Sequence, residues 1–179
     1  EFGQPRGGEA YVAFLDADLS THPDELADML AGAVAGGALA VLGARVQLLG
    51  RRIKRNPARH YLGRVFATFA SNTLGLPVYD TQCGAKLFRA GPDLASVFSR
   101  PFNSKWTFDV ELLGRLLIRL GGRNALQNGR CAVIEHPLAA WTDVAGSKVR
   151  PWDFVVAIRE LMRIRALLCD TAYRRLFAP

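Results

Sequence analysis

The chain has 179 residues, 50% hydrophobic and 22% charged, which excludes a disordered or fibrous chain and fits one globular α/β domain. At this length folding buries roughly 70% of the extended-chain surface, enough for a real core. The formal net charge of +7, from 23 Lys+Arg against 16 Asp+Glu, calls for solvated basic faces or an anionic partner: phosphorylated substrates, an anionic membrane surface or nucleic acid.

No run reaches the ~18 uninterrupted apolar residues of a spanning helix, and no secretory signal is visible. Cys83, Cys131 and Cys169 are odd in number and lack a CxxC spacing, so free thiols in a reducing compartment are expected rather than a disulfide scaffold or a zinc site. His22, His60 and His136 have no metal-ligand spacing.

Gly3–Gly8 reads as a loop, and Tyr11–Leu15 as a buried strand ending in Asp16-Ala17-Asp18. Pro23 and the acids Asp24 and Glu25 open a helix that runs to about Ala35 and stops at Gly36-Gly37. Ala38–Gly43 is a second apolar strand. Together these segments predict a right-handed βαβ unit, which brings Arg45 to the edge where Asp16 emerges if the strands are parallel. Gln47–Ala58 is expected to be a mobile basic loop. Arg59–Leu74 has helical spacing, with Leu62, Val65, Phe66 and Phe69 on one side and Gly75 as its stop.

Val78–Arg89 reads as a turn and then a strand, Ala85–Phe88, followed by a short helix over Pro92–Phe98. Phe108–Leu120 is an amphipathic helix ending at Gly121-Gly122. Cys131–Pro137 is a strand, Leu138–Lys148 a loop, and Trp152 to about Leu168 a last helix in which arginines interrupt the apolar positions. The expected organisation is one domain over residues 1–150 with a basic amphipathic helical tail over 151–179.

Open α/β sheets bind ligands at the carboxyl ends of their strands. Two carboxylates at i, i+2 around a turn, Asp16 and Asp18, can hold a hard divalent cation and leave positions for phosphate oxygens. Turn-capping acids would look the same. In Asp80-Thr81-Gln82-Cys83-Gly84 a carboxylate and an amide stand near a glycine that permits close backbone approach; the segment reads as a grip on sugar hydroxyls or as an Asx-turn. Asp109 and Glu111 open a helix, where the amide dipole favours acids with or without a substrate. Trp141, Trp152 and Phe154, with the arginine-rich last helix, fit a membrane interface or a helix packed on the sheet.

Four segments occur in order: Phe14-Leu15-Asp16-Ala17-Asp18-Leu19-Ser20-Thr21, residues 80–88 from Asp80 to Phe88, residues 106–113 from Trp106 to Leu113, and Trp141-x4-Gly146-Ser147-Lys148. Together, over about Gly8 to Ile164, they resemble the inverting family 2 glycosyltransferases, in particular the dolichyl-phosphate β-glucosyltransferase branch. The polyprenyl-phosphate mannose synthases are the next most similar group.

The resemblance implies an α/β, Rossmann-like GT-A nucleotide-diphospho-sugar transferase fold, of which this chain is the C-terminal portion, with a mixed sheet flanked by helices. It implies transfer of a hexose from UDP-glucose or GDP-mannose to a polyprenyl or dolichyl phosphate, with Mg2+ or Mn2+, at the cytoplasmic face of a membrane. That membrane is the endoplasmic reticulum in a eukaryote or the plasma membrane in a prokaryote. It places Asp18 on the metal that bridges the two phosphates and Asp16 on the metal or ribose. Arg45 and Arg59 would face phosphates, and Asp80 and Gln82 the sugar. Asp109 would stand at the sugar–acceptor junction, positioning the acceptor or acting as base, with Glu111 beside the substrate. Ser147 and Lys148 would contact the lipid phosphate. Cys83 reads as packing, and Ala85 stands where the family usually carries Phe.

Such domains begin with a base-binding half containing a strand that ends near Asn-Glu and a later Asp-Asp-Gly-Ser-like turn; neither motif occurs here, and the first residue is Glu1. The expectation is that this polypeptide alone is catalytically dead or nearly so. Three other readings compete with transfer: an inactive glycosyltransferase-fold binding protein, a haloacid-dehalogenase-type phosphohydrolase with Asp16 as nucleophile, and a basic nucleic-acid-binding domain around Arg59–Phe69. The phosphohydrolase needs a late strand ending in paired acids, and none follows Cys131–Pro137. No recognisable nucleic-acid module is present, so no nucleic-acid partner is expected.

Overall fold

The longest apolar strand segment becomes the covered centre of the sheet. In this computed structural model, which describes residues 9–54, 57–127, 133–142 and 151–179, β2 (Ala40–Ala44) is buried at every position. Strands covered on both faces read as unbroken apolar runs for this reason. Around it lie β1 (Tyr11–Phe14), β4 (Lys86–Arg89) and β5 (Val133–Pro137), in the order β1-β4-β2-β5.

β4 is antiparallel to both β1 and β2, and β5 is parallel to β2. β1 and β2 therefore run in the same direction, as expected, but they are not neighbours: β4 lies between them. β1 is also an edge strand rather than a buried one, with Val12 54% exposed. Because of the strand directions, the carboxyl ends of β1, β2 and β5 and the amino end of β4 share one sheet edge.

α1 (Glu25–Gly36) covers one face through Met29 and Ala33 and stops at Gly37, whose left-handed backbone donates to the carbonyls of Ala33 and Val34. Its Glu25 carboxylate, buried, accepts the amides of Ala139 and Ala140 and ties the helix to the far end of the chain. The 47–58 segment is not simply a loop. It contains β3 (Arg52–Lys54), which pairs in parallel with β6 (Ala140–Thr142), a strand inside the expected 138–148 loop.

The other face is covered by α2 (Pro57–Leu74), α3 (Pro92–Phe98), α4 (Phe108–Arg119) and α6 (Pro151–Cys169), with the short α5 (Arg123–Gln127) and α7 (Thr171–Arg175) beside them. The α2 stripe that faces the core is Phe66, Ala70 and Leu74; Leu62, Val65 and Phe69, expected inward with Phe66, are exposed. α6 is not an appended tail: Ala157, Leu161 and Ile164 sit in the same core as α4. Gly114 permits this contact, since a Cβ there would stand 2.7 Å from Leu168 Cδ2.

Glu111 belongs to this packing. Its fully buried carboxylate accepts bonds from the Asn103 and Ser104 amides, the Ser104 hydroxyl, the Tyr173 hydroxyl and Arg115. Expected beside the substrate, it instead joins α4 to the 100–104 segment and to α7. Burial works against its charge, but the bonds from Asn103, Tyr173 and Ser104 and the Arg115 charge outweigh that and hold it below the usual carboxylate range.

Candidate active site

The residues after β1 and β2, those before β4 and the first turn of α4 converge at the shared sheet edge. Asp16 follows β1, and its carboxylate lies directly on the Gly84 backbone. A Cβ on Gly84 would be 2.0 Å from Asp16 Oδ2, so only glycine admits this approach. Asp18 is exposed at the turn and its Oδ1 accepts the Ser20 amide at 2.9 Å.

Arg45, following β2, meets Asp80 through two parallel bonds, Nε to Oδ2 at 2.6 Å and Nη2 to Oδ1 at 2.7 Å, and its backbone amide donates to the same carboxylate. Burial opposes the guanidinium charge, yet the charge and hydrogen bonds of Asp80, with smaller help from Cys83 and Asp16, raise its pKa. The two side chains largely satisfy one another. Arg45, expected against phosphates, and Asp80, expected against the sugar, brace each other in the loop.

Asp109, in the first turn of α4, is buried like Asp80. Gln82 Nε2 donates to its Oδ2 at 3.3 Å, and Lys86 Nζ stands 3.0 Å from Oδ1. Burial raises the Asp109 pKa; the nearby Lys86 opposes that, and the charges of Asp16 and Asp80 add to it. The pull of Asp16 on both Arg45 and Asp109 reflects how closely strand tip, loop and helix meet.

Lys86, inside the 80–88 segment, is a site residue that sequence reasoning misses. It is 1% exposed, lies over the Phe14 ring with its ammonium 5.3 Å from the centroid, and also donates to the Cys83 carbonyl. The available signal was a lysine two residues beyond Gly84, where β4 begins. Its neighbour Ala85 is fully buried and faces Gly43, where a Cβ would already be 3.1 Å from that of Ala85, so the small side chain suits this site.

Two further acids hold the cluster from behind. Glu135 on β5 accepts the amides of Tyr79 and Asp80 at 2.8 Å, and Arg64 of α2 stacks on the Tyr79 ring and donates to the Tyr79 carbonyl. Burial raises the Glu135 pKa, with the Tyr79 and Asp80 amides opposing. Glu160 on α6 accepts the amides of Lys105, Trp106 and Thr107 and the Thr107 hydroxyl, which fixes the start of α4. Sequence spacing could not reveal this link, because the partners are more than fifty residues apart.

Asp16, Arg45, Asp80, Gln82 and Asp109 are thus brought together, Asp18 stands exposed two residues from Asp16, and Glu111 lies in a separate network. Ser147, Lys148, Cys131 and the side chain of Arg59 lie outside the described residues. Among the described residues no group of three His, Cys, Asp or Glu side chains could cage a metal ion. The other mode, in which one or two carboxylates share a hard cation with substrate phosphates, is the one the sequence leads one to expect of Asp16 and Asp18. No helix among the described residues is long and apolar enough to cross a membrane.

A mixed sheet flanked by helices is the architecture of a GT-A-like α/β domain. Residues 6–94 match the model of the family described as Glycosyl transferase family 2. The match supports a family 2 glycosyltransferase, with glycosyl transfer as its function and, as the family implies, a nucleotide-sugar donor. It covers Asp16, Asp18, Arg45, Asp80, Gln82 and Lys86; Asp109 lies beyond it. No curated protein matches the chain.

Proposed function

We propose that this domain is an inverting hexosyltransferase of the dolichyl-phosphate β-glucosyltransferase type. It would move glucose from UDP-glucose, or mannose from GDP-mannose, to a polyprenyl or dolichyl phosphate at the cytoplasmic face of a membrane. The observation that carries this reading is the meeting of Asp16, Gln82, Lys86 and Asp109 at one sheet edge, within and beside the segment that matches the family.

In the proposed reaction an oxygen of the lipid phosphate forms a bond to the anomeric carbon while the bond from that carbon to the nucleoside diphosphate breaks, with inversion. Mg2+ or Mn2+ held by Asp16 and Asp18 would supply positive charge toward the departing diphosphate. The acceptor phosphate is already anionic, so little general-base power is needed. Asp109, with its raised proton affinity, orients the acceptor or takes its remaining proton, and Lys86 and Gln82 fix the carboxylate. The Arg45–Asp80 pair shapes the loop that carries Gln82 and Gly84. Lys148, Ser147 and Arg59 remain proposed phosphate contacts.

The test is incubation of the purified chain, alone and together with any segment its gene encodes upstream of Glu1, with labelled UDP-glucose or GDP-mannose, polyprenyl phosphate and Mn2+ or Mg2+, beside an Asp18→Ala control. Turnover is expected only where the base-binding motifs are supplied. A labelled β-linked lipid product that disappears with chelator and in the control supports the reading. Donor binding without turnover favours a glycosyltransferase-fold binding protein, and neither binding nor turnover sinks the proposal for this chain.

A further inference from the structure

We propose that the outward faces of α2 and α6 form one docking surface for an anionic lipid membrane. The two helices are neighbours in one layer: Phe66, Ala70 and Leu74 of α2 share a buried cluster with Ala157, Leu161 and Ile164 of α6. Their opposite faces turn away from that shared core. On α2 this outer face carries Tyr61, Leu62, Val65 and Phe69, with Tyr61 71% exposed. On α6 it carries Trp152, Val155, Val156 and Met162, with Trp152 67% and Met162 60% exposed.

An apolar helix face turned to water needs a partner, and its chemistry selects one. The exposed Arg159 and Arg163 lie on the same α6 face as Val155, Val156 and Met162, at helical spacings of three and four, and the chain carries a net charge of +7. Aromatic and aliphatic side chains interleaved with arginines match the boundary between acyl chains and anionic headgroups. Of the three residues expected at such an interface from sequence, Trp141 is buried and Phe154 is partly packed in the core; only Trp152 is on this surface. The four α2 residues add a share equal to that of α6.

The surface also lies beside the candidate site. Glu160, from the same helix, holds the Trp106 and Thr107 amides, so the start of α4 that carries Asp109 is anchored to α6, with Trp106 half exposed there. The choice of lipid over a protein partner rests in part on the lipid-acceptor reading above.

The experiment is co-sedimentation of the whole chain with phosphatidylcholine vesicles, with and without phosphatidylglycerol, in the absence of sugar nucleotide. Binding should require phosphatidylglycerol. Replacing Leu62→Ser and Phe69→Ser together should weaken it about tenfold, and Arg159→Gln and Arg163→Gln should each weaken it about fivefold. These side chains are exposed, and thermal melting should confirm unchanged folding in each variant. Vesicle binding that ignores all four substitutions, or no binding to either vesicle, overturns the proposal. So does a dimer seen by light scattering that the Leu62→Ser/Phe69→Ser variant dissolves. Because no transfer is measured, failure here leaves the proposed reaction standing, and after a failed transfer assay the surface stands only on the vesicle binding itself.

Discussion

The carboxylate of Asp16 occupies the space that a side chain on Gly84 would fill, with Oδ2 2.0 Å from the position of that absent Cβ. One contact between a strand tip and a loop nearly seventy residues away therefore sets where the first acid of the cluster points. The glycine is required by a neighbour, not by its own backbone angles.

Gly84→Ala should push aside the Asp16 carboxylate, the free end of an exposed side chain, at little cost in stability, while weakening binding of the sugar nucleotide with Mn2+ by about tenfold, on the order of 1.4 kcal/mol. Calorimetric titration measures the affinity and urea denaturation the stability. Unchanged affinity would show that Asp16 has no part in donor binding.

Lys86→Met should leave Asp109 buried without its cation and push its pKa further up. The proton affinity of Asp109 is already higher folded than unfolded, so deprotonation costs stability as pH rises from the ordinary value of 3.8 through the raised one. The variant should widen that window, move the acid limb of kcat/KM to higher pH, and lose about 3–5 kcal/mol of stability at neutral pH. An acid limb that stays in place would mean that it reports another group.

Glu111 has the opposite sign. Its pKa is lowered on folding, so its stabilisation is present above the ordinary value of 4.5 and is lost as pH falls through the lowered one. Glu111→Gln should cost about 3–5 kcal/mol at pH 7, because Arg115 is left buried without its charge partner. The difference from the parent chain should shrink as both are acidified, which chemical denaturation across pH 3 to 7 would follow.

Tyr173 should make the fold sensitive to alkali. Burial, and then the nearby Glu111 against the opposing Arg115, push its pKa up from 10.0 to about 12. The unfolded chain loses this proton first, so stability should fall between those two values, and Tyr173→Phe should flatten that decline while lowering stability at neutral pH. Denaturation midpoints from pH 8 to 12 decide it.

Glu160→Ala should release the start of α4, removing a cap worth about 0.5–2 kcal/mol. Amide exchange at Trp106 and Thr107 should speed up well before global unfolding, and transfer should weaken because Asp109 rides on that turn. Protection that remains at both amides would show that the helix start is held by something else.

Local pattern was sufficient for much of this protein. The unbroken run at Ala38–Gly43, the Pro23 start and Gly36-Gly37 stop of α1, the Pro92 start of α3 and the amphipathic α4 are settled by neighbours within one or two turns, so they are legible in the chain alone. The resemblance carried by the ordered motifs names Asp16, Asp80, Gln82 and Asp109 as one candidate site, and strand direction accounts only for the common edge shared by the end of β1 and the start of β4. Tertiary packing decided the rest. It inserted β4 between β1 and β2, paired β3 with β6 across nearly ninety residues, and drew Glu111 into a network with Tyr173. It turned Leu62, Val65 and Phe69 outward, because α6 and the sheet together fix which stripe of α2 is covered. It also supplied Lys86, Glu135 and Glu160 to the site from three different elements. A side chain's period records that a face is apolar, and only the partner that arrives from elsewhere in the chain determines whether that face, or that charge, is buried.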